Sequence, residues 1–253
     1  GVAAVELLAL LCNLLLAAAV QQRRARPAAL AIAVVAATWG LGEWRMRSLD
    51  AETVRVVRFG LVQPNIPLLW EDEGADAQKL ARLREPSARA QAEGAEIVVW
   101  PENMYPWPLD RPMLRDVEDE DRVLGLHALP TLFGAGSIAD DEPYAHNTAF
   151  YMTAEGAIRS SYDKVLLVPL GEHIPLVDPD WARGQMPGLA HNIAGVGPTR
   201  FIVEPGPPGS ATPAVSLGPL ICYEDVFAGY ARRVAGVIGG VEVFVNLSND
   251  TWF

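Results

Sequence analysis

The sequence predicts an α/β domain preceded by two membrane-spanning helices. Two patterns carry that reading: an apolar N-terminal stretch, and a later alternation of short β-branched runs with helical segments. Residues 1–20 are apolar except for Glu6 and Asn13, and at about 1.5 Å per residue such a helix crosses a hydrocarbon core of about 30 Å. Arg23, Arg24 and Arg26 follow as a charged loop, then Pro27 and a second apolar run from Ala28 to about Trp44. Trp39 and Trp44 suit an interfacial belt. A signal peptide is the poorer alternative, because its positive charge precedes the apolar region; a buried hairpin of a soluble protein remains open. By the positive-inside rule the arginine loop is cytoplasmic, so the chain beyond Trp44 emerges on the opposite, periplasmic or extracellular face. Glu6 and Asn13 are costly in lipid and are expected to face other helices.

From about Val54 short β-branched runs recur at 54–62, 96–100, 131–139, 147–153, 200–203, 214–222 and 241–247. A helix is expected over 75–93, broken or kinked near Pro86. Another is expected to open after Cys222, where Val226, Tyr230, Val234 and Ile238 recur at spacing four. Segments 164–199 and 204–213 are rich in Pro and Gly and read as long loops, the kind that build sites on a rigid scaffold. The expected division is therefore a membrane part, residues 1–50, and a catalytic domain, residues 54–253. A start at Gly1 without methionine and an end directly after a strand-like run predict a fragment of a longer protein, with the domain incomplete at its C-terminus.

Net charge is −11, with 31 acidic against 20 basic residues. The first 50 residues hold five arginines against Glu6, Glu43 and Asp50, so the acidic excess lies wholly in the later domain. No basic stretch with interleaved aromatics follows residue 60, which argues against nucleic acid as a partner. His127, His146, His173 and His191 are scattered without metal-ligand spacing, and only His173 lies near a candidate site. No phosphate-binding glycine motif occurs, and neither metal nor cofactor is expected.

Only two cysteines occur, Cys12 in the apolar N-terminus and Cys222 at the end of an apolar run, so no disulfide is expected. A buried free cysteine is often just a small hydrophobe. At the N-terminus of a helix, however, partial positive charge favours a thiolate. Two other residues share the same placement at the end of an apolar run: Glu102 in Ile97-Val98-Val99-Trp100-Pro101-Glu102, and Lys164 in Tyr162-Asp163-Lys164. Each alone has a plain explanation, as a capping acid and as a loop charge paired with Asp163. Together they form a chemical unit, in which a carboxylate takes the thiol proton and an ammonium stabilises an oxyanion.

In this order the three segments resemble the carbon–nitrogen hydrolase (nitrilase) superfamily. Within it the chain is most similar to the apolipoprotein N-acyltransferase family. Gln63-Pro64-Asn65-Ile66 with Trp70, the run from Lys164 to Leu176, and Asn246-Leu247-Ser248-Asn249-Asp250-Thr251-Trp252-Phe253 carry the narrower likeness, and the membrane segments fit it too. The resemblance implies an α-β-β-α sandwich and catalytic roles for Glu102 as base, Lys164 as stabiliser of the tetrahedral intermediate and Cys222 as nucleophile. It also implies supporting roles for Trp70, Glu172, Tyr223 and Glu224; the plain alternatives are that Trp70 only packs and that Glu224 is a first-turn helix acid favoured by the dipole.

The implied reaction moves a fatty acyl chain from a phospholipid, through a cysteine thioester, to the amine of the N-terminal diacylglyceryl-cysteine of an apolipoprotein. The setting is the bacterial inner membrane, with several spans and a periplasmic catalytic domain. Leu166, Leu167, Ile174 and Leu176 are candidates to guide acyl chains. The alternative is a membrane-tethered amidase or nitrilase in which water resolves the same acyl-enzyme, and a third reading is an interaction module that keeps the fold without activity.

Overall fold

Leu and Ala, both strong helix formers, make up most of the first helix, α1 (Val2–Gln22), which runs up to a left-handed residue, Arg23, with φ 49°. The second helix, α2, runs from Ala25 to Glu52. The expected four-residue arginine loop is therefore shorter, because Pro27 is tolerated in a first turn, where its missing N–H has no intrahelical partner. Beyond Trp44 the helix is continued by charged residues, among them a Glu43–Arg47 pair at 2.8 Å. Two windows, Ala3–Gln22 and Ala25–Leu49, are long and apolar enough to cross a membrane. Leu7, Leu10, Leu14, Ile32, Trp39 and Trp44 are exposed on this hairpin, whereas a water-facing hairpin would present a polar face.

The computed structural model describes residues 2–52, 55–66, 74–113, 115–116, 122–139, 142–185, 191–237 and 239–249. It divides into two compact units, Gly1–Val56 and Val57–Phe253. In the second unit, β1 (Phe59–Leu61), β2 (Ile97–Val99) and β4 (Thr131–Ile138) run parallel, and β5 (His146–Met152) and β6 (Ile158–Asp163) follow as antiparallel hairpin partners. A two-residue strand, β3 (Leu109–Asp110), pairs with the end of β4. A second sheet places β8 (Val215–Ile221) between antiparallel β7 (Phe201–Val203) and parallel β9 (Val243–Leu247).

Side-chain alternation assigns the layers. Ile97, Val99, Leu132 and Tyr151 of the first sheet pack with Phe201, Val203, Leu217 and Ile221 of the second. On the opposite face of the first sheet, Val98, Phe133 and Phe150 pack with Leu80 and Leu83 of α3 (Ala75–Ala92). On the far side of β8, α5 (Ala228–Ala235) buries Tyr230 and Val234. A Cβ on Gly218 would come within 2.7 Å of Val234 Cγ1, so only glycine lets the helix lie that close. The result is an α-β-β-α sandwich.

The departures from expectation are local. Helix α3 continues through Pro86; the next residue, Ser87, bonds back to Leu83 O at 2.7 Å and accepts from Trp100 Nε1 at 2.9 Å, which holds the turn against β2. Strand β6 was missed because Arg159, Ser160 and Ser161 mask its alternation, and β3 is too short to leave a pattern. A short helix, α4 (Pro179–Gln185), interrupts the expected 164–199 loop. After Cys222 the backbone makes only a five-residue 3-10 turn, Cys222–Val226, before α5 begins. Val226 is thus exposed rather than part of an apolar stripe, and Ile238 lies outside the described residues.

Glycine at 134 on β4 has a direct bearing on Glu102. A Cβ there would lie 2.5 Å from Asn103 N, 2.7 Å from Pro101 O and 2.8 Å from Glu102 Cα. Gly134→Ala is therefore expected to push the Glu102 turn off the sheet and to cost about 1–3 kcal/mol, the usual scale of overpacking; denaturant melts of the two proteins measure it. Equal stability would show that the turn yields freely.

Candidate active site

Parallel strands deliver their C-terminal ends to one edge of a sheet, and functional side chains gather there. Glu102 follows β2, Lys164 follows β6 and Cys222 follows β8. The structure brings all three together. Lys164 Nζ donates to Glu102 Oε1 at 3.0 Å and to Glu172 Oε1 at 2.8 Å, and Lys164 is only 1% exposed. The Cys222 thiol lies where the charges of both Glu102 and Lys164 act on it. Glu102 Oε2 accepts from Asn249 N at 3.3 Å, while Glu172 Oε2 accepts from Val168 N at 3.0 Å. Cys12 and Cys222 are both free.

Cys222 has φ 52°, a left-handed backbone that costs an L-residue about 1–2 kcal/mol. The turn is braced by Asn246 Nδ2, which donates to Cys222 O at 3.1 Å and to Asp225 Oδ2 at 2.9 Å. The expectation of a thiolate stabilised by a helix N-terminus fails. Burial, and then the negative charge of Glu102, push the Cys222 thiol above its ordinary range; Lys164 and a hydrogen bond with Ser248 offset this only partly. In the resting site the sulfur keeps its proton, with a carboxylate beside it to receive it. For Lys164, burial lowers the ammonium, but attraction to Glu102 and the bond and charge of Glu172 outweigh it, so the net shift is upward. The ammonium form is held.

Glu224 is fully buried and does not line a cavity. Its Oε1 accepts from Val165 N at 2.7 Å and Leu166 N at 3.0 Å, and its Oε2 from Ile221 N at 2.9 Å and Tyr162 Oη at 2.6 Å. One carboxylate thus ties the segment after Lys164 to the strand end before Cys222. Tyr230 Oη lies 2.8 Å from Tyr162 Oη and extends the tie to α5.

Two cavities adjoin these residues, and neither has Glu102, Lys164 or Cys222 in its wall. One, of about 560 Å³, is lined by Val165, Leu166, Leu167, Ile193, Tyr223 and Phe227 among others. Tyr223 is half-exposed there and packs edge-on to Phe227 at 5.0 Å. Of the four apolar loop residues expected to guide acyl chains, only Leu166 and Leu167 line this cavity; Ile174 is buried and Leu176 fully exposed. The other cavity, of about 250 Å³, is lined by Gln63, Pro64, Asn65, Ile66, Pro101, Met104, Ser248 and Asn249. Trp70 lies outside the described residues.

The histidines are less scattered than their spacing implied: the rings of His173 and His191 are 5.0 Å apart, and both line the larger cavity. No group of three metal-ligating side chains occurs among the described residues.

The family model for carbon–nitrogen hydrolases matches residues 58–253. The chain belongs to this family. Its fold is also that of solved members of the nitrilase superfamily: an amidase from Nesterenkonia, in mutant form, superposes with a TM-score of 0.51 at 17% identity over 76% of this chain and 64% of the amidase. Curated relatives named apolipoprotein N-acyltransferase include those of Pseudomonas putida, 30% identical over 97% of this chain, and of Allorhizobium ampelinum, 29% identical over 85% of it. A third, from Rhodopseudomonas palustris, is 26% identical over 92%. The chain spans 46%, 40% and 44% of these relatives' own lengths, less than half of each.

Asn147 is the residue of this carbon–nitrogen hydrolase site that sequence reasoning passed over. Buried on β5, its Nδ2 donates to Glu102 Oε1 at 2.8 Å and to Glu172 Oε1 at 3.1 Å, bridging both carboxylates that hold Lys164. The available signal was its place on a strand beside the one ending at Lys164.

Two outcomes follow from the geometry. Because the Glu102 charge raises the Cys222 thiol, Glu102→Gln is expected to move the pH midpoint of Cys222 alkylation downward from a starting value above the ordinary thiol range of about 8.5. An upward or absent shift would remove the charge contact. Glu224→Gln turns one acceptor oxygen into a donor facing N–H or O–H groups and is expected to cost about 1–3 kcal/mol, measured by chemical melts alongside Asp225→Asn as an exposed control.

Proposed function

We propose that this chain carries the catalytic part of an apolipoprotein N-acyltransferase, in which Cys222 takes a fatty acyl chain from a phospholipid and passes it to the amine of an N-terminal diacylglyceryl-cysteine. The observation that carries the reading is a buried Glu102–Lys164 pair whose charges act on the Cys222 thiol, beside a largely apolar cavity of about 560 Å³. The Pseudomonas putida relative named for this activity aligns with 97% of the chain, its apolar helices included.

In this mechanism Glu102 accepts the Cys222 proton as sulfur attacks the ester carbonyl, and the Lys164 ammonium stabilises the oxyanion. The ester C–O bond breaks, and the leaving lysophospholipid oxygen takes the proton from Glu102. The acceptor amine then forms the C–N bond, the C–S bond breaks, and Glu102 relays the amine proton to sulfur. Glu172 and Asn147 keep Lys164 and Glu102 in register, while Tyr223 with Leu166 and Leu167 shapes the acyl pocket. Trp70 is assigned a place in substrate binding on the resemblance alone.

Residues 1–50 tether the catalytic domain, residues 54–253, to the bacterial inner membrane as part of a multi-pass protein, with the domain on the periplasmic side. Both substrates are lipid-bound, which fits a site held at a membrane face.

The test is mass spectrometry of the protein after incubation with phospholipid vesicles. A fatty acyl adduct is expected on Cys222, absent from Cys222→Ala, and its transfer to a diacylglyceryl peptide is expected to leave an amide. Leu166→Ser with Leu167→Ser is expected to raise the apparent KM for phospholipid about tenfold or more, the scale of losing two apolar side-chain contacts. Turnover of soluble amides with water as sole acceptor, and no adduct from phospholipid, would replace this reading with hydrolysis.

A further inference from the structure

The second cavity has chemistry that the acyl chain does not use. Among the described residues its wall contains Gln63, Asn65, Ser248 and Asn249 and no charged side chain. It shares no lining residue with the apolar cavity. At about 250 Å³ it falls below the roughly 300–1,000 Å³ of whole small-ligand sites, so it suits a fragment of a larger substrate.

Its wall also touches both reacting groups. Ser248 hydrogen-bonds with the Cys222 side chain, and the Asn249 N–H binds Glu102 Oε2. Glu102 therefore divides its oxygens: Oε1 is committed to Lys164 and Asn147, while Oε2 meets the residue that lines the polar cavity. Each carboxylate oxygen has about two acceptor sites, so once the thiol proton is gone, in the acyl-enzyme, Oε2 has capacity for one further donor besides Asn249 N. Asn65 adds a backbone observation, since its φ of 49° is the left-handed conformation that clusters at ligand sites.

We propose that this cleft receives the polar end of the acyl acceptor: the α-amine, delivered to Glu102 Oε2, and the first peptide units behind it. This rests on the acyl-transfer reading above and deepens it, by giving acceptor and acyl chain separate walls. A phosphate headgroup needs cationic partners, which the cleft lacks, whereas carboxamide side chains both donate and accept and match peptide groups. In the transfer step the amine nitrogen bonds to the thioester carbon, the C–S bond breaks, and the amine proton passes through Glu102 to the Cys222 sulfur.

The experiment separates the two half-reactions. Full-chain protein is acylated with phosphatidylethanolamine vesicles, cleared of donor, and chased with either a diacylglyceryl-cysteinyl peptide or hydroxylamine, a small amine needing no peptide site. Gln63 is exposed, so Gln63→Ala and Gln63→Leu spare the fold, and acylation itself reports that each is folded. Transfer to the lipopeptide is expected to slow about tenfold relative to the unsubstituted protein, the scale of one or two lost hydrogen bonds. The hydroxylamine chase is expected to stay within about twofold, on the same reasoning that it makes no peptide contact. Undiminished lipopeptide transfer overturns the subsite, and so does an equal loss with hydroxylamine. Absence of any acyl-Cys222 in the unsubstituted protein overturns the acyl-transfer reading itself.

Discussion

An ammonium buried to 1% exposure is the constraint to which the rest of the site answers. Removing such a charge from water costs several kcal/mol unless partners and hydrogen bonds compensate it. Glu102 and Glu172 supply the charge at 3.0 and 2.8 Å, but two carboxylates brought to one ammonium also repel each other. Asn147 relieves this by donating to both. Position follows from the same bonds. Each group sits at the end of a strand whose neighbours are fixed by a sheet, so the charge network and the sheet register specify one another.

A single carboxylate makes that register span both sheets. Lys164 belongs to the first sheet and Cys222 to the second, and the two sheets otherwise meet largely through packed apolar side chains. Glu224 replaces that soft relation with four directional bonds, two to the segment after Lys164, one to Tyr162 and one to the strand end at Ile221. Close approach does comparable work at Glu102, where the absence of a side chain at Gly134 lets the turn lie on β4. The strained φ of Cys222 is tolerated because its surroundings over-determine it, through Asn246 below and Glu224 beside it.

Much of this could be read from the chain before any coordinates. Glu102 and Cys222 each end an apolar run, and strand ends converge; Lys164 ends the polar strand β6 instead. What stayed hidden depended on contacts between distant segments. Glu224 read equally well as a pocket residue or a helix-terminus acid, because nothing local says that the chain after Cys222 makes a 3-10 turn and that backbone N–H groups from residues 165 and 166 arrive beside it. Asn147 was invisible because one amide in a strand acquires meaning only when two carboxylates flank it. His173 and His191 are separated by a long loop that folds back, with Asn192 N bonded to Glu172 O at 2.7 Å. Periodicity failed where the sequence is polar, at β6, and where packing overrides a breaker, at Pro86.

The proton held on sulfur bears on why such a site would transfer an acyl group rather than release it to water. Thiolate nucleophilicity rises with thiol pKa, while leaving ability falls. A Cys222 thiol raised by burial, and by Glu102 while that carboxylate is ionised, is a poor leaving group from the thioester whenever Glu102 carries its charge. Slow departure penalises weak nucleophiles, and water is weaker than an amine. In the proposed reaction the Glu102 carboxylate that raises the thiol is also the base for the acceptor amine, so an acceptor held against it would gain both a stronger nucleophile and a proton path back to the leaving sulfur. Discrimination between amine and water can thus arise from the charge arrangement around Cys222, with the neighbouring polar wall deciding which amine reaches it.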